Sequence, residues 1–267
     1  MTLVLAALLL SAYALGRSLV PDPPRQRHTG VATGATSSEP TPGPSRPDPT
    51  GPRAEADWQP QLDPDGDGPY GSRISTGSPR VALTFDDGPD LRYTPQVLAL
   101  LRQYGVKATF CVVGENAAEH PDLIRAIVAE GHTLCNHSWN HDIALGKRAA
   151  TVIRSDLLRT NAAIRAAVPN ARIAYFRQPG GAWTNPVVSA CEQLGMTPLH
   201  WTVDPSDWQA PGAARITATV LGQTAPGSIV LMHDAGGNRA GTVQALQRLL
   251  PVLMTRFQLE ALPTGTT

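Results

Sequence analysis

The sequence lacks an excess of charge of either sign, since 22 Lys and Arg residues balance 22 Asp and Glu residues. A neutral chain has no overall field that would attract nucleic acid, so we expect no nucleic-acid partner. The sequence also has no glycine-rich phosphate-binding turn, which argues against a nucleotide-binding sheet. What the protein binds must therefore depend on local groups of side chains.

Cysteine is scarce as well: Cys111, Cys135 and Cys191 are odd in number and widely spaced, with no CxxC pair. This pattern excludes a disulfide scaffold and gives no sign of a zinc ribbon or a redox motif. Cys111 and Cys135 fall on what we interpret as successive strands and could approach each other. We nevertheless predict buried free thiols, because Cys is often buried as a small apolar residue.

The N-terminal apolar run, residues 3–15, is shorter than the ~20 residues of a membrane-spanning helix, and Arg17 follows it. Its length and the small-x-small pattern Ala12-Tyr13-Ala14 are typical of a signal peptide. We therefore expect a secreted or extracytoplasmic protein, with residues 1–20 either cleaved or kept as an N-terminal membrane anchor.

Residues 21–72 are rich in Pro, Gly, Ser and Thr and contain few large apolar side chains. Such a segment cannot bury enough surface to offset the entropy of ordering, which predicts a solvated linker. The remaining residues, 73–267, have the length of one domain, and we expect this domain to be monomeric.

From Val81 onward, short β-rich runs alternate with longer amphipathic segments, the pattern of parallel βα units. Gly105, Gly131 and Gly195 lie where left-handed helix caps are expected. About seven units predict an α/β fold, a distorted (β/α) barrel, with an open doubly wound sheet as the alternative. The predicted strands are 81–85, 108–113, 132–135, 172–176, 196–203, 228–232 and 257–261, and the predicted helices are 94–104, 121–130, 151–167, 186–194 and 242–254.

Polar residues follow the predicted strands directly, on the face where βα barrels place their active sites. They are Asp86, Asp87, His137, His141, Arg177, Asp204, Asp207 and His233. Two adjacent carboxylates at the end of a buried strand cost free energy unless a cation or several donors offset them. Neighbouring side chains on an extended backbone point to opposite sides, so Asp86 and Asp87 can face different partners.

His137 and His141 are four residues apart, so one helical turn would bring both imidazoles to one side. With one carboxylate of the Asp pair they form a two-His, one-carboxylate set that leaves open positions for water and substrate. Such a set indicates a catalytic metal, and the other carboxylate could take a proton from water. A structural metal domain would need four ligands, and the sequence offers three good ones.

Further residues complete the expected site. His233 would stand across the mouth of the barrel, where it could protonate a leaving group. Arg177 could keep the non-ligand Asp ionised, and Asp204 could orient His233 or Arg177. Trp183 and Trp208 offer flat apolar faces that can pack against sugar rings, although an aromatic side chain near a barrel rim can equally belong to the core.

This set of residues resembles the NodB-homology polysaccharide deacetylases, the carbohydrate esterases of family four. Five motifs carry the resemblance, in the family's order, between residues 80 and 262. They are Thr84-Phe85-Asp86-Asp87-Gly88-Pro89, His137-Ser138-Trp139-Asn140-His141, Arg177-Gln178-Pro179-Gly180-Gly181, Asp204-Pro205-Ser206-Asp207-Trp208 and Leu231-Met232-His233. Each motif alone is of modest specificity, but all five in order are highly specific.

The resemblance implies that Asp86 is the general base, His233 the general acid, and Asp87, His137 and His141 the ligands of a divalent metal. That metal is usually zinc, with cobalt, nickel or manganese in some relatives. The backbone N–H of Gly180 would stabilise the oxyanion. At that position many relatives carry Tyr, so the rim of the substrate groove differs here.

The resemblance also implies the reaction, which is hydrolysis of acetamide or acetyl ester groups on a polysaccharide. Because export is expected, N-acetylglucosamine in peptidoglycan is the first expected substrate and chitin oligosaccharides the second, with acetylated xylan as an alternative. A hypothesis from another class is a non-catalytic glycan-binding module. An intact acid, base and ligand set argues against it, since binding alone needs neither acid nor base.

Overall fold

A computed structural model of the chain describes residues 68–264. The predicted signal peptide or anchor and most of the predicted linker lie outside the described residues. Residues 68–72, which the composition assigned to the linker, belong to the folded region, because Pro69–Gly71 forms a 3-10 turn and Ser72 is fully buried. None of the helices in this part of the chain combines the length and apolar character that a membrane span requires.

The centre of the fold is one curled parallel sheet. Its strands are β1 Val81–Asp86, β2 Thr109–Val112, β3 Thr133–Asn136, β4 Tyr175–Phe176, β5 Thr197–Pro198, β6 Ile229–His233 and β7 Leu259–Glu260. They are arranged in the order β5-β4-β3-β2-β1-β6, and β7 pairs with the start of β1. After β5 the chain reaches β6 through a parallel bridge between Val203 and Val230, so the sheet curls into the predicted distorted barrel.

Seven helices pack around this sheet in the described part of the chain. They are α1 Thr94–Tyr104, α2 Gly114–Glu119, α3 Pro121–Ala129, α4 Ala150–Ala167, α5 Asn185–Gln193, α6 Ala213–Gln223 and α7 Ala240–Arg256. The five predicted helices are confirmed with ends within two residues, and Gly105, Gly131 and Gly195 have the expected positive φ angles. The sequence patterns did not predict α2 and α6.

The strands at the β5 edge are shorter than predicted, for a reason visible in the pairing. Leu199 donates its N–H to Phe176, but His200 already donates to the carbonyl of Arg73, and Val203 pairs with Val230. The segment after β5 thus changes partners twice. A run that reads as one long strand is divided among three neighbours.

All six residues of β1 are buried, which explains why its sequence is almost continuously apolar. Val81, Leu83 and Phe85 belong to the large core between sheet and helices, whereas Ala82 belongs to a smaller cluster. Burial on both faces of the strand places its last residue, Asp86, at the edge of two apolar layers.

Cys111 and Cys135 are joined by a disulfide bond, so the prediction of free thiols is wrong for this pair. They lie directly opposite each other in the β2–β3 register. Sequence spacing could not show this, because the register of two parallel strands depends on how the helices between them pack. Cys191 is a buried free thiol, as predicted.

We expect alkylation of the denatured, non-reduced protein to modify one cysteine, and alkylation after reduction to modify three. Replacing Cys111 and Cys135 together with Ser should lower the free energy of unfolding by roughly 3 kcal/mol, because the cross-link restricts the unfolded chain. Mass spectrometry and urea denaturation measure the two effects. Cys191→Ser is the control, since it leaves the bond intact; modification of all three residues without reductant would contradict the bond.

Candidate active site

The carboxyl ends of β1, β3 and β6 bring the predicted polar residues to one edge of the sheet. Asp86 ends β1 and lies opposite His233, the last residue of β6, in the pairing register. A cavity of about 480 Å³ opens at this edge. Its lining includes the predicted residues Asp86, Asp87, His137, His141, Gly180, Asp204, Trp208 and His233.

Asp86 forms an ion pair with Arg177, and both side chains are buried. Its Oδ1 accepts a hydrogen bond from the guanidinium at 2.7 Å. The same nitrogen donates to the Thr84 hydroxyl at 2.8 Å, and another donates to the carbonyl of His200 at 3.0 Å. Arg177 is thereby held in place by the sheet, with its guanidinium directed at the Asp86 carboxylate. This is the pairing that the sequence predicted for the non-ligand Asp.

Asp87 faces the two histidines instead. Its Oδ1 lies 3.5 Å from Nε2 of His137 and 3.3 Å from Nε2 of His141. Burial raises the pKa of Asp87, but its interactions with the neighbouring imidazoles, His137 foremost, outweigh this and lower the pKa to about 2. The carboxylate is therefore ionised at neutral pH.

The two imidazoles converge because of a loop and not because of a helical turn, which corrects that prediction. His137 follows β3 directly, and no helix is present between His137 and His141. Ser138 and His141 have φ angles of 64° and 57°, which fold the loop back on itself. The ring centroids lie 5.1 Å apart.

Asp87, His137 and His141 suit a divalent metal. One ligand atom from each lies within 4.8 Å of the others. Asp87 Oδ1 is buried and has no hydrogen-bond partner among the described residues, which is costly for an ionised oxygen. His137 donates from Nδ1 to the carbonyl of Arg177 at 2.8 Å, so in the neutral ring the lone pair is on Nε2, toward Asp87. Burial lowers the pKa of His141, which favours its neutral, ligating form.

His233 is held by Asp207. Nδ1 of His233 lies 2.6 Å from Asp207 Oδ1, and its backbone N–H donates to Asp207 Oδ2 at 2.9 Å. Thr242 also donates to Asp207 Oδ2, at 2.7 Å. Asp204, which was predicted to orient His233 or Arg177, accepts a hydrogen bond from the N–H of Ser206. The prediction therefore named the wrong acid of the fourth motif. Asp207 contacts His233, because the turn after Asp204 directs the Asp207 carboxylate toward it.

The charge of His233 depends on its carboxylate neighbours. Burial lowers the pKa of His233, but the hydrogen bond to Asp207, the charge of Asp207 and the charges of Asp86 and Asp87 outweigh it and raise the pKa to about 9. The imidazole is thus protonated at neutral pH. The cavity thus holds an ionised carboxylate, Asp87, and a cationic imidazole, His233.

A family model described as polysaccharide deacetylase matches residues 73–199. The chain is 42% identical over 204 residues to a chitooligosaccharide deacetylase of Sinorhizobium fredii, and the match covers 72% of this chain and 94% of that protein. The chain belongs to the polysaccharide deacetylase family. The resemblance drawn from the five motifs is confirmed.

Two further relatives of this deacetylase are named for a different glycan, peptidoglycan. It is 40% identical over 178 residues to a peptidoglycan-N-acetylglucosamine deacetylase of Bacillus cereus, covering 66% of this chain and 64% of that protein. Among solved structures, the Bc1960 peptidoglycan N-acetylglucosamine deacetylase superposes with a TM-score of 0.67 at 37% identity, covering 72% of this chain and 90% of that chain. The family therefore includes enzymes named for chitooligosaccharides and enzymes named for peptidoglycan.

The two tryptophans of the deacetylase prediction differ in position. Trp208 is 54% exposed and lines the cavity. Trp183 is buried, donates from Nε1 to His200 at 3.1 Å and packs edge-on against Phe176. Trp183 is not among the residues that line the cavity, so it is a core residue and its prediction as a substrate contact is corrected.

Several lining residues of the deacetylase cavity were not predicted. They are Ile143, Gln178, Trp201, Leu231, Gly236 and Arg239. Most lie outside the positions directly after strands, where the sequence argument looked for polar groups. Gln178 and Leu231 lay inside motifs that contain a predicted ionisable residue, Arg177 and His233, and those positions could have indicated them.

Proposed function

We propose that this polysaccharide deacetylase is a metal-dependent N-deacetylase of an extracellular glycan, with N-acetylglucosamine in peptidoglycan as its first substrate and chitin oligosaccharides as its second. The observation that supports it best is the unlike environment of two adjacent carboxylates. Asp86 pairs with a buried Arg177 and lies 3.7 Å from one imidazole, that of His137, whereas Asp87 lies within 3.5 Å of two imidazoles. A glycan-binding module has no use for that division, since binding needs no separate base and ligand.

In this proposal Asp87, His137 and His141 hold the divalent ion, with zinc as the first choice and cobalt, nickel or manganese as alternatives. A divalent ion held there supplies Lewis acidity toward water and the acetyl carbonyl. The chain contributes the preorganised ligands, of which His137 is oriented through the backbone carbonyl of Arg177.

The chain's own residues would move the protons. Asp86 Oδ1 is occupied by Arg177, which leaves Oδ2 to accept a proton from the attacking water. His233 Nδ1 is held by Asp207, so Nε2 would donate a proton to the departing nitrogen. That proton is needed because an amine leaves as a neutral molecule far more readily than as an anion. The two side chains end neighbouring strands, so the donor and acceptor face one substrate.

The remaining contacts concern the substrate itself. The Gly180 N–H would donate to the developing oxyanion, as the family resemblance implies, and the turn at Pro179–Gly181 places Gly180 in the cavity wall. Trp208 would pack its exposed ring against a sugar at the rim. The proposal also includes export, with residues 1–20 as a signal peptide or an N-terminal membrane anchor, on the strength of their sequence pattern.

The test is acetate release from peptidoglycan, N-acetylglucosamine oligomers and acetylated xylan. We expect release from the first two, its loss after treatment with a chelator and its recovery when zinc, cobalt, nickel or manganese is added back. Release from acetylated xylan alone would favour O-deacetylation. If the protein binds these glycans but releases no acetate with any of the metals, the non-catalytic module is the better hypothesis.

A further inference from the structure

The turn after β6, residues 234–237, lies directly against the metal-ligand side of the site. Gly236 has a φ of +72°, and a Cβ built on it would overlap Asp87 Oδ2 and lie 3.1 Å from Asp87 Cγ. Only a residue without a side chain allows the backbone to approach so closely. The turn is therefore the wall that limits where the Asp87 carboxylate can move.

Arg239 holds this turn through hydrogen bonds to its carbonyls. Its guanidinium donates to the carbonyls of Ala235 at 2.6 Å and Gly236 at 2.8 Å. A third hydrogen bond, of 3.1 Å, goes to the carbonyl of Asp207, which belongs to another segment of the chain. One planar group thus joins the turn against Asp87 to the residue that holds His233.

Arg239 is a buried arginine whose hydrogen-bond partners are neutral carbonyl groups. The side chain is 3% exposed and lines the active-site cavity. No salt bridge of the described residues includes it. Burying a guanidinium on neutral carbonyls costs free energy, so a shorter or apolar side chain would serve if only packing were needed. The five-donor fork is what the three carbonyls require.

We propose that Arg239 is a positioning residue that fixes the turn 234–237 against Asp87 and holds Asp207 beneath His233, so that the metal side and the acid side of the site keep one geometry. The proposal rests on the roles proposed above for Asp87 and His233. Arg239 acts through these residues and needs no contact with the substrate. Nothing in the five motifs includes it.

The first test compares Arg239→Met, which keeps the stem but removes the donors, with the wild type. We expect zinc to bind about 10- to 100-fold more weakly, measured by competition with a chromophoric chelator. For the zinc-saturated enzyme, we expect kcat to fall at least about 10-fold while KM changes little, because the substrate contacts remain. Arg239→Lys should stay close to the Met variant, because one ammonium cannot span three carbonyls on two segments.

Arg256→Met is the control for loss of an arginine that donates to backbone carbonyls, at an exposed position. Arg256 ends α7, the helix that follows Arg239, and it also donates to two carbonyls, those of Leu221 and Thr224. It is far along the helix from the cavity, so its loss should leave zinc affinity and kcat unchanged. Zinc affinity and kcat of Arg239→Met within twofold of the wild type would overturn the proposal, as would full rescue by Lys or equal losses in Arg256→Met.

A second pair of variants keeps the test decisive if Arg239→Met does not fold. Gly236 and Gly195 have closely similar positive φ angles, +72° and +73°, so both Gly236→Ala and Gly195→Ala place alanine in a strained conformation. A Cβ on Gly195 meets nothing within 4 Å, whereas the one on Gly236 pushes on Asp87. We expect only Gly236→Ala to weaken zinc binding. Equal zinc affinity in the two variants would mean that the turn does not constrain Asp87.

Zinc affinity is measured without any turnover, which separates this inference from the proposed function. If the wild type binds zinc but releases no acetate, the proposed function fails and the affinity comparison still decides the role of Arg239. If the wild type binds no zinc, the ligand assignment fails and this inference fails with it.

Discussion

Asp86→Asn is expected to retain the divalent metal and lose turnover, whereas Asp87→Ala is expected to lose the metal. Asn keeps the shape of Asp86 and can still accept the hydrogen bond from Arg177, but it cannot take a proton, so kcat should fall about 10²- to 10⁴-fold. Asp87 supplies one of three clustered ligand atoms, and its removal leaves two imidazoles alone. Metal content after gel filtration and steady-state kinetics measure the two effects.

Asp122→Asn is the control for this pair of variants, because Asp122 is an exposed acid that forms a surface ion pair with Arg125. It should keep both metal and activity. Equal loss of metal in Asp86→Asn and Asp87→Ala would contradict the division of roles. So would full activity of the metal-loaded Asp86→Asn variant.

His233→Gln is expected to lower kcat by about 10²- to 10⁴-fold without loss of metal, because Gln cannot donate a proton to the departing nitrogen. Asp207→Asn should have a smaller effect on kcat and a distinct effect on its pH dependence. With the Asp207 charge removed, the effect of burial gains weight and the pKa of His233 falls from about 9. As the pH rises, His233 of the variant then loses its proton at a lower pH than in the wild type. The alkaline limb of kcat/KM therefore moves to lower pH.

The same pKa shift has a consequence for stability. The pKa of His233 in the folded protein, about 9, is above the ordinary value of 6.5, so the protonated imidazole stabilises the folded state. This contribution to the free energy of unfolding is complete below about pH 6.5 and is lost as the pH rises through about 9. Asp207→Asn should remove this stabilisation, and urea denaturation at pH 6 and pH 9.5 measures it. In Asp204→Asn the alkaline limb should stay in place, since Asp204 accepts from Ser206. An unshifted limb in Asp207→Asn would contradict the pairing.

The helices show how far periodicity and capping carry a prediction. The five predicted ones have amphipathic spacing, and glycines with positive φ follow α1, α3 and α5. Helix α2 has six residues, too few for a period to be visible. Helix α6 contains Ile216, Thr217, Thr219 and Val220, whose branched side chains are equally typical of strands.

The site shows a similar limit. Position after a strand predicted Asp86, Asp87, His137 and His233 at one edge, because parallel strands all end on the same side of the sheet. It could not choose between Asp204 and Asp207, since a turn of the chain decides which carboxylate points inward. It also missed Arg239, whose partners are backbone carbonyls that any sequence provides.

The adjacent Asp86 and Asp87, the spaced histidines and the order of the five motifs were enough to determine the family and the chemistry, because reaction types depend on which side chains follow the strands. Tertiary structure alone decided the partners. The strand register placed Cys111 beside Cys135 and Asp86 beside His233, and the loop after β3 placed both imidazoles before Asp87. These contacts join residues distant along the chain, and their geometry depends on the packing of the whole sheet.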